Sequence, residues 1–176
     1  MNVAPMISAC DNYLAERTGR YEWRAFRYRA ACAWLAAQGI DDSMTVTDIG
    51  AGWTEFDFCL RAEFEFRGRY IPVDGGIDGT DLNFWSPARA SEFFVGLEII
   101  EHIHDWKRLV RSLQASATRG VVLSTPNPET TDVLAMDPTH VVEVHREELE
   151  RLGFVVTEET FYGGDRKSTR LNSSHI

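Results

Sequence analysis

Short apolar runs alternate along the chain with stretches of helical period. Met44 to Ile49, Arg69 to Val73, Phe93 to Leu97, Gly120 to Ser124 and Phe154 to Thr160 read as strands. Between them, the residues from Trp53 up to a stop at Gly68, His104 to Ala117, and Arg146 to Leu152 read as helices. In the middle one, Trp106, Leu109, Val110 and Leu113 share an inward face. Tyr21 to Gln38 is a further helix ahead of the first strand, with Thr18 as N-cap and Gly39 as C′ residue. Its core face is expected at Trp23, Phe26, Ala30, Ala33 and Ala37. Met1 to Arg17 is mixed, with Pro5 and an Asp11-Asn12 turn signal, and Pro128 to Thr139 is loop-like. Strands alternating with helices predict an α/β fold with a parallel sheet. No internal repeat or flexible linker interrupts it.

Composition changes this picture in two places. The 176 residues, 44% hydrophobic and 26% charged, suit one soluble domain. No apolar run reaches membrane-span length and no signal pattern opens the chain, so a cytoplasmic protein is expected. Cys10, Cys32 and Cys59 form no metal-type pair and read as free thiols. Asp165 to Ile176 breaks the composition of what precedes it and resembles the frame translation of a sequencing-library adaptor. That resemblance implies a gene cut near Gly164 and a functionless, non-native tail over 165–176, which leaves an N-terminal helical cap over 1–43 and the main domain over 44–164. Removing the tail takes three positive charges and one negative, so the formal charge moves from −9 to −11. So acidic a body argues against non-specific nucleic-acid binding. The one basic patch is Arg17, Arg20, Arg24, Arg27 and Arg29. It reads either as a solvated helix face or as a contact for an anionic substrate.

Ligands of open α/β sheets bind beyond the carboxyl ends of the strands, and four such ends carry unusual residues. The first strand ends in Asp48-Ile49-Gly50-Ala51-Gly52-Trp53-Thr54-Glu55. Gly50 can take a positive φ and Gly52 lets a ligand approach the backbone. Glu55 stands where a dinucleotide fingerprint has its third glycine, and an acid there suits an amine or sulfonium better than a pyrophosphate. Asp74 ends the second strand at the offset of a ribose-binding carboxylate. Asp81-Leu82 stands where an acid can meet an exocyclic amine, and Glu98-Ile-Ile-Glu101-His102 follows the third strand directly.

On these residues, with Ser124-Thr-Pro-Asn127 and Glu148-Leu-Glu-Arg-Leu-Gly-Phe154, the chain resembles the class I S-adenosylmethionine-dependent methyltransferases. The likeness runs from about Val46 to Phe161. It implies a Rossmann-like sheet with helices on both faces and S-adenosylmethionine as cofactor. Asp48 with Gly50, Ala51 and Gly52 would hold the methionine moiety, Asp74 the ribose, Asp81 and Leu82 the adenine, and Leu97 and Glu98 would flank the cofactor. The chain departs from the pattern where Thr54 replaces a glycine, where the 74–81 span abbreviates one helix-strand unit, and where the last antiparallel strand is expected to be missing.

His140, Glu101 and His102 are the candidate catalytic residues. Glu-x-x-Glu-His with the later His140 is similar to the set in small-RNA 2′-O-methyltransferases, and ubiquinone-type O-methyltransferases carry a similar Glu-x-x-Glu-His. Glu98, Glu101, His102 and His140 therefore form a candidate divalent-metal set, set against the metal-free reading common in class I enzymes, a pocket-shaping pair. The leading expectation is methyl transfer to a hydroxyl of a small or polar acceptor. The alternatives are RNA 3′-terminal 2′-O-methylation and a non-catalytic cofactor-binding partner module. The segment carrying His140 is expected to fold back to face Glu101 and His102.

Overall fold

The computed structural model describes residues 4–159 and 169–175, with side chains for Gly19, 21–158, 173 and 174. One helix, α1 (Ala4–Ala37), precedes the sheet. It begins well before the sequence suggested, and Thr18 lies inside it rather than capping it. Pro5 falls in the first turn, where its missing N–H has no partner to lose. Gly39 ends the helix at φ 71, its N–H donating to Ala36 O.

The strands are β1 (Thr45–Ile49), β2 (Arg69–Val73), β3 (Ser91–Leu97), β4 (Ala117–Pro126), β5 (Val155–Glu159) and β6 (Thr169–His175), in sheet order β2-β1-β3-β4-β6-β5. The first four pair in parallel. Helices α2 (Glu55–Ala62), α4 (Trp106–Ser116) and α6 (Arg146–Arg151) and the short turns α3 (Gly75–Asp78) and α5 (Val133–Met136) connect them. Side chains of β3 alternate between two cores, as the pleat requires. Phe93, Val95 and Leu97 pack with Tyr28, Cys32, Leu35, Phe56 and Leu60 of α1 and α2, while Phe94 packs with Trp106, Leu109, Leu113 and Leu149 of α4 and α6. Helices on both faces of a mostly parallel sheet are thus observed. The buried thiols of Cys32 and Cys59 lie 3.8 Å apart in the first core, unbridged.

Two expectations change. The core face of α1 is Ala25, Tyr28, Ala31, Cys32 and Leu35, while Trp23 and Phe26 are 53% and 59% exposed and Ala33 and Ala37 also face out. Both stripes repeat at helical spacing, so periodicity alone could not choose between them. The last strand, expected to be missing, is present: β6 runs antiparallel to both β4 and β5 and fills the slot between them. A ladder is made by backbone groups, so the odd composition of this stretch does not bar it from the slot. The inferred junction near Gly164 lies outside the described residues.

The abbreviated 74–81 span leaves β2 at the sheet edge. Arg69 N–H donates inward to Met44 O, so by alternation Pro72 faces the open side, where its lack of an N–H costs no ladder bond. Thr54 precedes α2 in the left-handed region, φ 62 and ψ 29, with no side-chain cap bond. A β-branched residue there is strained. Thr54→Gly should therefore raise the melting midpoint by about 2–4 °C, equivalent to about 1 kcal/mol. An unchanged or lower midpoint in thermal unfolding would show that the turn is not strained at this position.

Candidate functional site

At the carboxyl end of the parallel strands lies a cavity of about 510 Å³. Its walls include Asp48, Gly50, Ala51 and Gly52 from the first turn, Leu97, Glu98, Glu101 and His102 from the end of β3, and His140. Nine of the twelve residues expected at the site therefore converge on one space.

Each wall has a local cause. Gly50 has φ 72, and its N–H donates to Val73 O at 2.8 Å, which turns the chain away from β1. Asp74 braces this turn: its Oδ2 accepts from Gly52 N–H at 2.9 Å and its Oδ1 from Gly76 N–H at 2.7 Å. A carboxylate has lone pairs beyond those two bonds, so Asp74 can still accept from a ligand beside Gly52. Asp48 is buried and accepts from the Tyr70 hydroxyl. Burial pushes its carboxyl up to about 7, with the Tyr70 hydroxyl pulling the other way.

Glu98 lies in the left-handed region at φ 55, an uncommon state for a non-glycine residue and one that clusters at functional sites. Ser124 holds it there. Glu98 N–H donates to Ser124 O at 3.0 Å, and the Ser124 hydroxyl donates to Glu98 Oε1 at 2.9 Å. Glu98 Oε2 stands 3.9 Å from Arg27. Burial raises the Glu98 carboxyl above its ordinary range, opposed by Arg27. Glu101 is fully buried, at 0% exposure, and its carboxyl is raised further, by burial and then by Glu98.

The backbone of Glu101 fixes His140. Val141 N–H and Val142 N–H both donate to Glu101 O, at 2.9 and 3.2 Å, which staples the later segment to the end of β3. His140 Nδ1 lies 2.6 Å from Val133 O and therefore carries the proton, leaving Nε2 as an acceptor 4.0 Å from Glu101 Oε1. His102 Nδ1 likewise faces Thr139 O at 3.2 Å and Thr139 Oγ1 at 3.0 Å. Burial and then the neighbouring His140 lower its pKa, so it is held neutral. The two rings meet edge to face at 4.6 Å. The segment thus folds back onto Glu101 and His102 as expected, and α5 inside it supplies the anchoring carbonyl.

Three expected residues stand apart. Asp74 adjoins the turn without lining the cavity, as described. Asp81 is exposed and accepts from Asn83 N–H at 2.9 Å, and Leu82 is buried in the core with Val73 and Ile103. The abbreviated unit before them provides no strand to lift them to the cavity wall. Conversely, α1 supplies further wall residues: Trp23, which was expected in the core, Tyr28, which the sequence did not single out, and Arg24 and Arg27 of the basic patch. The arginine cluster is not one solvated face. Arg27 is 7% exposed and turned inward, Arg24 stands 3.9 Å from buried Glu55, and Arg29 is held by Glu63 on the surface at 2.6 Å. Arg17 and Arg20 have side chains outside those described.

No protein-family model matches the chain, and no curated protein matches its sequence. Solved structures do. A Haloferax volcanii complex of the Trm112 methyltransferase activator with a methyltransferase matches at TM-score 0.65 and 13% identity, over 90% of this chain and 93% of that one. The fold is that of the class I methyltransferases. Magnesium protoporphyrin IX methyltransferase from Synechocystis, solved with bound SAH, matches at 0.57 and 13% identity, covering 93% and 87%. A SAM-dependent methyltransferase from Archaeoglobus fulgidus matches at 0.56 and 18%, covering 87% and 97%. Some matched methyltransferases are longer, and this chain spans 36% and 49% of two of them. Among the described residues β2 forms one edge of the sheet.

Proposed function

We propose that this chain transfers a methyl group from S-adenosylmethionine to a hydroxyl of a small polar acceptor, with His140 as general base. The observation that carries the reading is the cavity itself. It joins a glycine turn, an acid suited to a cationic amine at Asp48, and an imidazole whose Nδ1 is anchored so that Nε2 faces the open space. The matched methyltransferases with bound SAH or SAM support the cofactor.

In this reading Gly50, Ala51, Gly52 and Asp48 hold the methionine end, Asp74 takes ribose hydroxyls, and Leu97 and Glu98 flank the sulfonium. The reaction is an in-line displacement. The acceptor oxygen forms a bond to the methyl carbon as the carbon–sulfur bond breaks, the electron pair leaves with sulfur as a thioether, and the acceptor proton passes to His140 Nε2. The Glu101 carboxyl lies 4.0 Å from that nitrogen. Alignment supplies the rest of the rate.

A divalent ion is the second reading, and one observation favours it. Glu101, His102 and His140 place one donor atom each within 4.8 Å of one another. Both carboxylate oxygens of Glu101 are buried with no hydrogen-bond partner among the described residues. Both imidazoles direct Nδ1 at a backbone carbonyl, as metal-binding histidines do. These three residues fit such an ion, and Glu98, turned to Ser124 and Arg27, does not join them. A bound divalent ion would lower the pKa of an acceptor hydroxyl.

Calorimetric titration with S-adenosylmethionine, followed by turnover with candidate acceptors, tests the proposal. Saturable binding with acceptor-dependent formation of the demethylated cofactor is expected. Binding without turnover would point to a non-catalytic module, and no binding would defeat both.

Asp48 adds a pH test. The folded chain holds this proton more tightly than the unfolded one. Between its ordinary 3.8 and about 7 the apo fold therefore loses stability as pH rises. A cationic ligand competes with that proton. Cofactor affinity should fall by up to tenfold per unit as pH drops below about 7, with proton release on binding. Equal affinity at pH 8 and pH 5.5 would remove Asp48 from the cofactor site.

A further inference from the structure

Two thiols in the core between α1 and α2 take no part in the cavity. Cys32 of α1 and Cys59 of α2 are 1% and 0% exposed, and their sulfurs lie 3.8 Å apart. A disulfide needs about 2.0 Å, and a change of χ1 rotamer swings a sulfur through the difference. The two helices already pack on each other, so no element has to be brought from elsewhere.

Core cysteines are usually inert, because apolar surroundings keep the thiol protonated. The surroundings of Cys59 are different. The Cys32 S–H points at its sulfur, and the Tyr21 hydroxyl is a second donor to it. These donors hold the Cys59 thiol below its ordinary value, Cys32 foremost, with burial opposing them. Cys32, as the donor, is raised by the same bond and then by burial. One sulfur is prepared to attack while the other keeps its proton.

The pair also lies close beneath the surface. The Tyr21 hydroxyl donates to Glu63, which accepts from Arg29 Nε at 2.6 Å and Nη2 at 3.0 Å. Glu63 and Arg29 are exposed, so Tyr21 spans the distance from a surface ion pair to the Cys59 sulfur. Exposed ion pairs hold weakly, and their opening admits a molecule little larger than water.

We propose that Cys59 and Cys32 are a peroxide-responsive dithiol, Cys59 attacking and Cys32 resolving, and that the disulfide they form ties α1 to α2. In the first step the Cys59 thiolate bonds to a peroxide oxygen as the O–O bond breaks. The departing hydroxide takes up the proton that Cys59 had lost, giving water and a Cys59 sulfenic acid. In the second step the Cys32 sulfur gives up its proton and bonds to the Cys59 sulfur as the S–O bond breaks, and the departing hydroxide leaves with that proton as water. Two thiols lose two electrons, and one peroxide is reduced to two waters. Cys32 follows Tyr28 by four residues and Cys59 follows Glu55 by four, so the bond sits one helical turn behind the cavity wall. The inference does not depend on the methyltransferase reading.

The test treats full-length protein with about a tenfold excess of hydrogen peroxide, alkylates it in urea, digests it with trypsin without reduction and weighs the fragments. The tryptic peptide 30–61 contains Cys32 and Cys59 and excludes Cys10. It should emerge without alkyl groups, lighter than the reduced peptide by two hydrogens, and should accept two alkyl groups once a dithiol reductant is added. Cys32→Ser should stop at the Cys59 sulfenic acid, captured by dimedone. In Cys59→Ser, Cys32 should be labelled at least about tenfold more slowly. The wild-type measurement needs no variant. A peptide 30–61 that takes two alkyl groups after peroxide overturns the inference, as does a Cys59 that passes to sulfinic acid or pairs with Cys10 in the wild type. Equal dimedone labelling of the two variants overturns the assignment of Cys59 as the attacking thiol.

Discussion

Replacing His140 with alanine should lower turnover by about 10²–10⁴-fold, the range for loss of a positioned general base, while S-adenosylmethionine still binds. The separation is expected because the glycine turn is held by Val73 O and Asp74, so its backbone does not depend on the His140 ring. Its own bond goes to Val133 O, and the segment stays stapled through Val141 and Val142 to Glu101 O. Steady-state turnover beside calorimetric cofactor affinity checks the result. Wild-type turnover in this variant would reduce His140 to a loop residue and defeat both the base and the metal readings.

The same variant cannot by itself tell base from ligand, but two further measurements can. A general base leaves the enzyme indifferent to chelators. A metal makes chelation abolish turnover and gives Glu101→Gln the same phenotype as His140→Ala. Glu98→Gln does not serve this purpose, because Glu98 is turned to Ser124 and Arg27.

The second large effect is expected at Gly50. Gly50→Ala should cost about 2–5 kcal/mol of unfolding free energy and abolish measurable cofactor binding. Two terms contribute. A side chain at φ 72 pays about 1–2 kcal/mol for the left-handed backbone. The new Cβ would also fall 2.5, 2.6 and 2.9 Å from Cγ1, Cδ1 and Cβ of Ile99, an overlap costing about 1–3 kcal/mol unless that side chain moves. Gly52→Ala is the internal control. It has φ 53 but only Glu55 Oε2 nearby, at 3.9 Å, so it should show the backbone term alone. Adding Ile99→Ala to Gly50→Ala should remove the Cγ1 and Cδ1 overlaps and leave the strain and the 2.9 Å Cβ contact. Urea unfolding of the four proteins measures both terms. Equal destabilisation by Gly50→Ala and Gly52→Ala would show that Ile99 does not crowd the turn.

What was readable beforehand follows from range. Four of the five expected strands appear within two residues of their expected bounds, because pleat alternation and short apolar runs are local signals. The strand expected over Gly120 to Ser124 extends to Ala117–Pro126, since β3 carries the ladder back to Ala117 and β6 carries it on to Pro126. The glycine turn and the Glu-x-x-Glu-His stretch were readable for the same reason: each is contiguous, and each follows a strand directly.

The sequence by itself determined the alternation of strands and helices, the turn that needs Gly50, and the identity of the acid and imidazole groups at the site. These depend on residues within one turn or one strand of each other. Only the tertiary structure decided which face of α1 is buried, that Arg27 points into the cavity, that Leu82 is core, and that 169–175 completes the sheet. It also decided that His140 meets Glu101 and not Glu98, through a carbonyl accepting from residues forty positions downstream. The physical reason is the same in each case. Side-chain direction and backbone pairing across distant segments are set by which surfaces exclude water together, and two stripes of equal period or two carboxylates three residues apart look alike until a partner surface selects one.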